Sequence, residues 1–506
     1  MKILKKGLQS NTSIYLFLIL TVSIWQMFGL GKINLRLSQG IDQQIMQLTS
    51  AKMYFFEISS YQAAWNHHSP FLFFITKFSY LFFDFYNSTF GFYALYTIFL
   101  CLVSLTLYKI FYGILKSHFF SIVGSLIFIF DISSSTIGGK IIFDNRTWGI
   151  LFQSFILLSC IGYLKNKKNI YLYFLAIVSI VQIYNLESYS VSVFLIYAYL
   201  LYIEKDKFNF FLHSLFGGLI TISYITYLNF LSKELDEFIN LNIMFHINSI
   251  GLTNKFKNID LFDIIQSLFV GGNSTLSFLI SLLVIVFVIL IFISKFKTNS
   301  FRMDEKLLYV LLLGELLHLF LTGPRFTSYS QIIIFPIFVL FYSQVLELLD
   351  GYSLSKHFGL IPFFVIFFIF QFADVVYYRT SLIDGTFQET FKTFNIQAED
   401  PELVLTWVDI DKYEKVFFES NSLPSTRLWW WHQMKYIDKI YDKSYKMFDD
   451  KLLEEIFFQD VKFENPKKAV IEKNFIDPPA YFKKYIKENY EYTGTSGNLD
   501  YYRLRD

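Results

Sequence analysis

Long apolar runs, repeated from Ile14 to beyond residue 370, constrain this chain more than any other feature of its sequence. They fall at roughly 14–31, 88–108, 119–134, 147–164, 170–186, 188–203, 208–230, 274–294, 307–322, 329–349 and 358–373. A helix of about 20 residues crosses a hydrocarbon core of about 30 Å, and backbone in lipid must satisfy its own hydrogen bonds. The pattern therefore predicts an α-helical polytopic membrane protein with about eleven transmembrane helices. Only 17% of the 506 residues are charged, against 54% hydrophobic, and a soluble chain of that length carries more charge. The formal net charge of +2 provides no basic footprint, so no nucleic-acid partner is expected. The 62 phenylalanines, among many Ile, Lys and Asn, read as a base-composition bias without functional weight. Cys101 and Cys160 both lie inside apolar runs, where cysteine acts as a small core residue, so neither a disulfide nor a zinc site is expected.

The N-terminal "MKILKKG" and the apolar run to Leu30 lack a small-x-small cleavage pattern and read as an uncleaved first span. Short loops on one side carry Lys2, Lys5, Lys6, Lys109, Lys116, Lys165, Lys167, Lys168, Lys205, Lys207, Lys295, Lys297, Arg302, Lys306 and Lys356. The longer segments 32–87 and 231–273, on the other side, hold fewer basic residues per length. The positive-inside rule then places the N-terminus in the cytoplasm and the long loops outside, in a multi-pass protein of the plasma (inner) membrane. After Asp374 the composition shifts: charges become frequent, and "LVLTWVD" (403–409), "KVFFES" (415–420) and "KAVIEK" (468–473) alternate with helix-like stretches such as 433–457. This predicts two domains, a transmembrane one over 1–373 and a small extracytoplasmic α/β domain over 374–506.

Function in such a chain is expected where polar groups are kept at or near membrane depth, because lipid penalises them. On the outer side stand Asp42 in "SQGIDQQIMQ", Glu57, the pair His67–His68 in "NHHSPFLFF", Lys77, Asp144 and Arg146 in "IIFDNRTWG", Glu187 in "YNLESYS" and Arg325 in "LTGPRFTSYS". Glu315 and His318, three residues apart, share a helix face and read as a pair inside the bundle. Each group alone has an ordinary reading: a capping Asp, an interfacial imidazole, an arginine on a lipid phosphate. Adjacent histidines point to different helix faces, so one of the two at most serves a given site. A transporter more often places such groups at the midplane within repeated halves, and no internal repeat is visible.

Their order along the chain carries more information. A first span, an external Asp, a juxtamembrane stretch ending in His and Pro, and then an apolar re-entry resemble the start of the GT-C glycosyltransferases, in particular the protein-O-mannosyltransferase-like and aminoarabinose-transferase-like branch. The residues that carry this are Asp42 and "NHHSPFLFF". "FDNRTWGILFQSFILLS" resembles that family's second external loop, "GPRFTSYSQIIIFPIFVLF" its late external loop and following span, and "VFFESNSLPSTRLWWW" a segment of its C-terminal domain. This chain departs from the pattern in having Gln43 after Asp42, rather than Glu, and a single Pro70 instead of Pro-Pro.

The resemblance implies transfer of a sugar from a polyprenyl-phosphate carrier to a glycan, lipid or protein acceptor on the outer face, with membrane lipids as surroundings. Asp42 is then the candidate base, or the orienter of a base, for an acceptor hydroxyl. Lys77, Arg146, Arg325, His67 and His68 are candidates for holding the donor phosphate, with Arg325 favoured for the forked geometry of its guanidinium. Oxygen ligands from Asp42 and Asp144 would suit Mg²⁺ or Mn²⁺, although the external loops contain no DxD. Two other readings share the topology: a carrier or flippase for lipid-linked sugars, and an O-antigen-type polymerase or ligase. A carrier needs no base, and the polymerase type concentrates its external residues in one large late loop.

Overall fold

The structure is a computed structural model that describes residues 11–30, 88–133, 145–185, 189–231, 275–322, 331–351, 402–408, 422–425, 450–474 and 477–505. The chain divides into two compact units. The described helices of the first are α1 (Asn11–Leu30), α2 (Ser88–Leu115), α3 (His118–Ser133), α4 (Asn145–Asn166), α5 (Asn169–Asn185), α6 (Ser190–Ile203), α7 (Lys207–Leu231), α8 (Thr275–Thr298), α9 (Met303–Thr322) and α10 (Gln331–Gly351). Each lies on an expected apolar run, while the run at 358–373 lies outside the described residues. Ala94–Leu115, Trp148–Asn166 and Lys207–Tyr227 are long and apolar enough to cross a membrane by length and composition. Apolar side chains also face outward, among them Leu20, Ile98, Phe216 and Leu290. Helices that are apolar on their outer faces as well as inside are those solvated by lipid, so the chain is a membrane protein. Cys160 is buried and Cys101 half-buried, both as free thiols.

Short connections reverse the chain at one end of the bundle, between α2 and α3, α4 and α5, α6 and α7, and α8 and α9. Lys116, Lys167 and Asn299 take left-handed backbone angles there, closing the preceding helices; the Lys116 N–H donates to the Tyr112 carbonyl at 3.1 Å and that of Lys167 to Tyr163 at 2.7 Å. Among the described residues this end holds Lys116, Lys165, Lys167, Lys168, Lys205, Lys207, Lys295, Lys297 and Lys306, and acidic partners meet Lys167 and Lys295. Lys295 reaches Glu305 at 2.5 Å and Glu347 at 2.7 Å, tying α8, α9 and α10 together. Buried Glu204 accepts from Lys167 at 2.6 Å, from Tyr163 Oη at 2.8 Å and from the N–H of its neighbour Lys205 at 2.9 Å. Burial works against the Glu204 charge, but these three donors outweigh it and hold the carboxyl below its ordinary range.

The second unit contains β1 (Glu402–Trp407), β2 (Ser422–Pro424), α11 (Asp450–Glu464), β3 (Lys468–Glu472), α12 (Ala480–Asn489), β4 (Tyr490–Ser496) and β5 (Leu499–Leu504). The strands form one sheet in the order β2-β1-β3-β5-β4, in which β1 pairs parallel with β2 and β3, and β5 pairs antiparallel with β3 and β4. Alternation along β1 sends Trp407 to the face where it meets Phe482 of α12, ring centroids 5.3 Å apart, while Val404 packs with Val408, Val470 and Leu499 in a separate cluster. Residues 403–407 and 468–472 of the expected strands lie in β1 and β3, whereas Asp409 and 415–420 lie outside the described residues. Of the helix-like stretch 433–457, residues 450–457 lie in α11, and 433–449 lie outside the described residues. The β4–β5 hairpin is not among the strands expected from the sequence, although its two-residue Gly497–Asn498 turn, with Gly497 at φ 57°, is a hairpin signal.

Candidate functional site

The far end of the bundle, opposite the lysines, is where a polar cluster is buried in the helices. Glu315 and His318 stand on α9, about two turns and one turn before Thr322, and neither has any solvent exposure. His318 Nδ1 lies 3.7 Å from Glu315 Oε2, the proximity that their spacing predicts. Gln153, about two turns into α4, donates from Nε2 to Glu315 Oε1 at 2.7 Å. Ser192 of α6, the residue against which Glu315's neighbour Gly314 packs, donates its hydroxyl to the Tyr189 carbonyl at 3.0 Å. The buried Tyr189 ring meets the His318 ring edge-on, with centroids 5.6 Å apart.

Two glycines make this convergence sterically feasible. A Cβ on Gly314 would sit 2.5 Å from Ser192 Cα, so α9 and α6 touch backbone to backbone beside Glu315. A Cβ on Gly149 would collide with the Tyr189 phenol, which fills the space over the first turns of α4. Gln182 of α5 stands as far from the Lys167–Lys168 turn as Gln153 does, and it too is fully buried. The level of the bundle occupied by Gln153, Gln182, Glu315 and His318 is thus polar on three helices, at a depth where lipid-facing positions are apolar.

Connectivity relates this cluster to the candidates read from the sequence. Arg146 is the second residue of α4, Asp144 directly precedes that helix, Glu187 lies between α5 and α6, and Arg325 follows α9. Asp42, His67, His68, Lys77, Asp144 and Arg325 lie outside the described residues, as do Glu57 and Glu187; of Arg146 the backbone alone is described. The described structure brings together Gln153, Tyr189, Ser192, Glu315 and His318, of which the sequence reading singled out only Glu315 and His318. Gln153 and Gln182 were legible as amides within otherwise apolar runs, "WGILFQSFILL" and "AIVSIVQIY", a placement that lipid penalises unless a partner is near. Among the described residues no three His, Cys, Asp or Glu side chains converge as metal ligands, and the two carboxylates considered for a cation lie outside them.

No protein-family model matches the chain, and no curated protein matches its sequence. Among solved structures, ArnT from Cupriavidus metallidurans bound to undecaprenyl phosphate aligns with a TM-score of 0.55 at 9% identity, covering 97% of this chain and 98% of that one. The archaeal oligosaccharyltransferase AglB from Archaeoglobus fulgidus, in complex with an inhibitory peptide and a dolichol-phosphate, aligns at 0.46 and 11% identity over 96% of this chain and 74% of its own. That second likeness is too weak to add to the first. End-to-end agreement with ArnT, over nearly all of both chains, shows that this protein shares the fold of that structure.

Proposed function

We propose that this protein is a glycosyltransferase that moves a sugar from a polyprenyl-phosphate carrier to a glycan, lipid or protein acceptor on the outer face of the membrane. The observation that carries the reading is the full-length fold agreement with ArnT, whose structure holds undecaprenyl phosphate. The collection of basic residues at one end of the bundle supports a cytoplasmic N-terminus, with the polar far end and the domain 374–506 outside.

In this reading the acceptor hydroxyl attacks the anomeric carbon, the bond from that carbon to the carrier phosphate oxygen breaks, and Asp42 takes the hydroxyl proton. A single displacement of this kind inverts the anomeric centre. Negative charge grows on the departing phosphate, and Arg325, Arg146 and Lys77, with His67 or His68, are the donors proposed to hold it. Such fixed cations act more strongly where water is scarce. Asp42 and Asp144 are the oxygen ligands that Mg²⁺ or Mn²⁺ would take, should the reaction use one.

The test is transfer of radiolabelled sugar from a polyprenyl-phosphate carrier to cell-envelope material, with membranes holding wild type or Asp42→Asn at matched, folded levels. A general base contributes roughly 10²–10⁴ in rate, so the variant is expected to lose about that much. Equal transfer by the two would remove Asp42 from the chemistry. Label that crosses the membrane but stays on its carrier would favour a flippase instead.

A further inference from the structure

The β4–β5 hairpin holds an exposed pair of aromatic rings in a fixed place. Tyr492 and Tyr502 stand directly opposite each other in the register, and their rings meet edge to face with centroids 5.7 Å apart. Tyr492 is 58% exposed, more than any other large apolar side chain described in the sheet. Its phenol is nevertheless tied down. Tyr492 Oη donates to Thr495 Oγ1, Thr495 donates in turn to Asp500 Oδ1, and Lys473 Nζ lies 3.4 Å from that same oxygen.

A bulge makes this arrangement possible. Residues 492 and 495 of a regular strand point to opposite faces. Here the register shifts between Tyr492 and Gly494, so Thr495 pairs with Asp500 while Tyr492 pairs with Tyr502. Asp500 and Tyr502 are two residues apart on β5, so all four side chains share one face. Holding a surface ring in one position costs side-chain freedom and buries little apolar area in return. A ring set in advance is what a binding face requires, because the ordering cost is then met before the ligand arrives.

The open groups define what fits. Thr495 and Lys473 both use Oδ1 of Asp500, which leaves Oδ2 to accept from a ligand. Lys473 balances the Asp500 charge, so the face suits an uncharged ligand better than a phosphate or a basic peptide. A sugar ring combines the two features required, a flat array of C–H bonds that can lie on an aromatic ring and hydroxyls at its rim that donate to a carboxylate.

We propose that this face of the hairpin is a glycan-binding platform, on which a neutral sugar ring stacks against Tyr492, with Tyr502 as its wall, and donates a hydroxyl to Asp500. It binds and performs no chemistry. The choice of a glycan as ligand rests on the transferase reading.

The experiment uses the full chain in lipid nanodiscs on an array of immobilised neutral oligosaccharides built from hexoses, N-acetylhexosamines and pentoses, with the strongest ligand then titrated. Wild type is compared with Tyr492→Val, Asp500→Ala and, on the opposite face of β5, Arg503→Gln. Valine keeps strand propensity and removes the ring, and it is expected to weaken binding roughly 10-fold, as for one stacking contact. Asp500→Ala should weaken it several-fold, and Arg503→Gln should leave it unchanged. Amide hydrogen exchange through β4 and β5 reports whether the hairpin is intact; should the valine protein exchange faster, Asp500→Ala decides in its place. A wild type that holds none of the oligosaccharides would overturn the proposal, as would wild-type affinity in the deciding variant. Sugar transfer by a wild type that binds no oligosaccharide would leave the transferase reading standing and this one refuted. Binding lost in Tyr492→Val, by a protein that transfers no sugar, would do the reverse.

Discussion

Replacing Gly314 and Gly218 by alanine, one at a time, should move stability in opposite directions although the substitution is identical. At Gly314 the new Cβ would lie 2.5 Å from Ser192 Cα, 2.8 Å from its Cβ and 3.2 Å from its backbone nitrogen. Carbon atoms pack comfortably at about 3.5–4.0 Å, so α6 and α9 would have to separate by about 1 Å. Overpacking of a core costs about 1–3 kcal/mol, and a clash with backbone, which cannot rotate away, belongs at the upper end. Alanine returns about 1 kcal/mol of helix propensity, leaving a net loss of about 2 kcal/mol. At Gly218 of α7 nothing lies within 4 Å of the added Cβ, so the propensity gain of up to about 1 kcal/mol stands unopposed. Reversible unfolding of both variants in mixed micelles with SDS, read by tryptophan fluorescence, should therefore separate them by about 3 kcal/mol. A Gly314→Ala protein as stable as Gly218→Ala would refute the backbone contact between α6 and α9, and with it the tight assembly around Glu315.

Other consequences concern the basic end. Glu204 titrates below its ordinary value of 4.5 in the folded protein, so its stabilising contribution is complete above that value and is lost as pH falls through the depressed one. Glu204→Gln should flatten the acid limb of the stability–pH curve; at neutral pH it should cost about 1 kcal/mol, a modest figure because Lys167 is 54% exposed and solvent screens the pair. An unchanged acid limb in the same SDS titration would rule out the shift. Lys116 closes α2 at φ 55°, a conformation that costs an L-residue about 1 kcal/mol or more, so Lys116→Gly should stabilise by about 0.5–1 kcal/mol. A loss of stability on that change would show that the Lys116 side chain matters more than its backbone angle.

The helices of the first unit were legible in the sequence because lipid imposes a length, and apolar runs of that length have few alternative structures. β1 and β3 could be read for a related reason, since short β-branched runs between charged residues fit a half-buried strand. The β4–β5 hairpin escaped notice because its strands, "YEYTGTS" and "LDYYRL", are built of tyrosine, threonine and charges and lack an aliphatic alternation. Only its Gly-Asn turn gave a local signal.

The sequence by itself determined that this is a helical membrane protein, which end of its helices gathers the lysines, and that Glu315 and His318 share a face. Helical period and hydropathy are local properties, and they suffice for these conclusions. Tertiary structure alone decided that Gln153 is the partner of Glu315, 162 residues away, and that Tyr189 and Ser192 complete the group. It also decided that Gly314 is where α6 meets α9. Which polar side chains find one another across an apolar bundle depends on how helices rotate and cross, and that is fixed by packing among residues far apart in the chain.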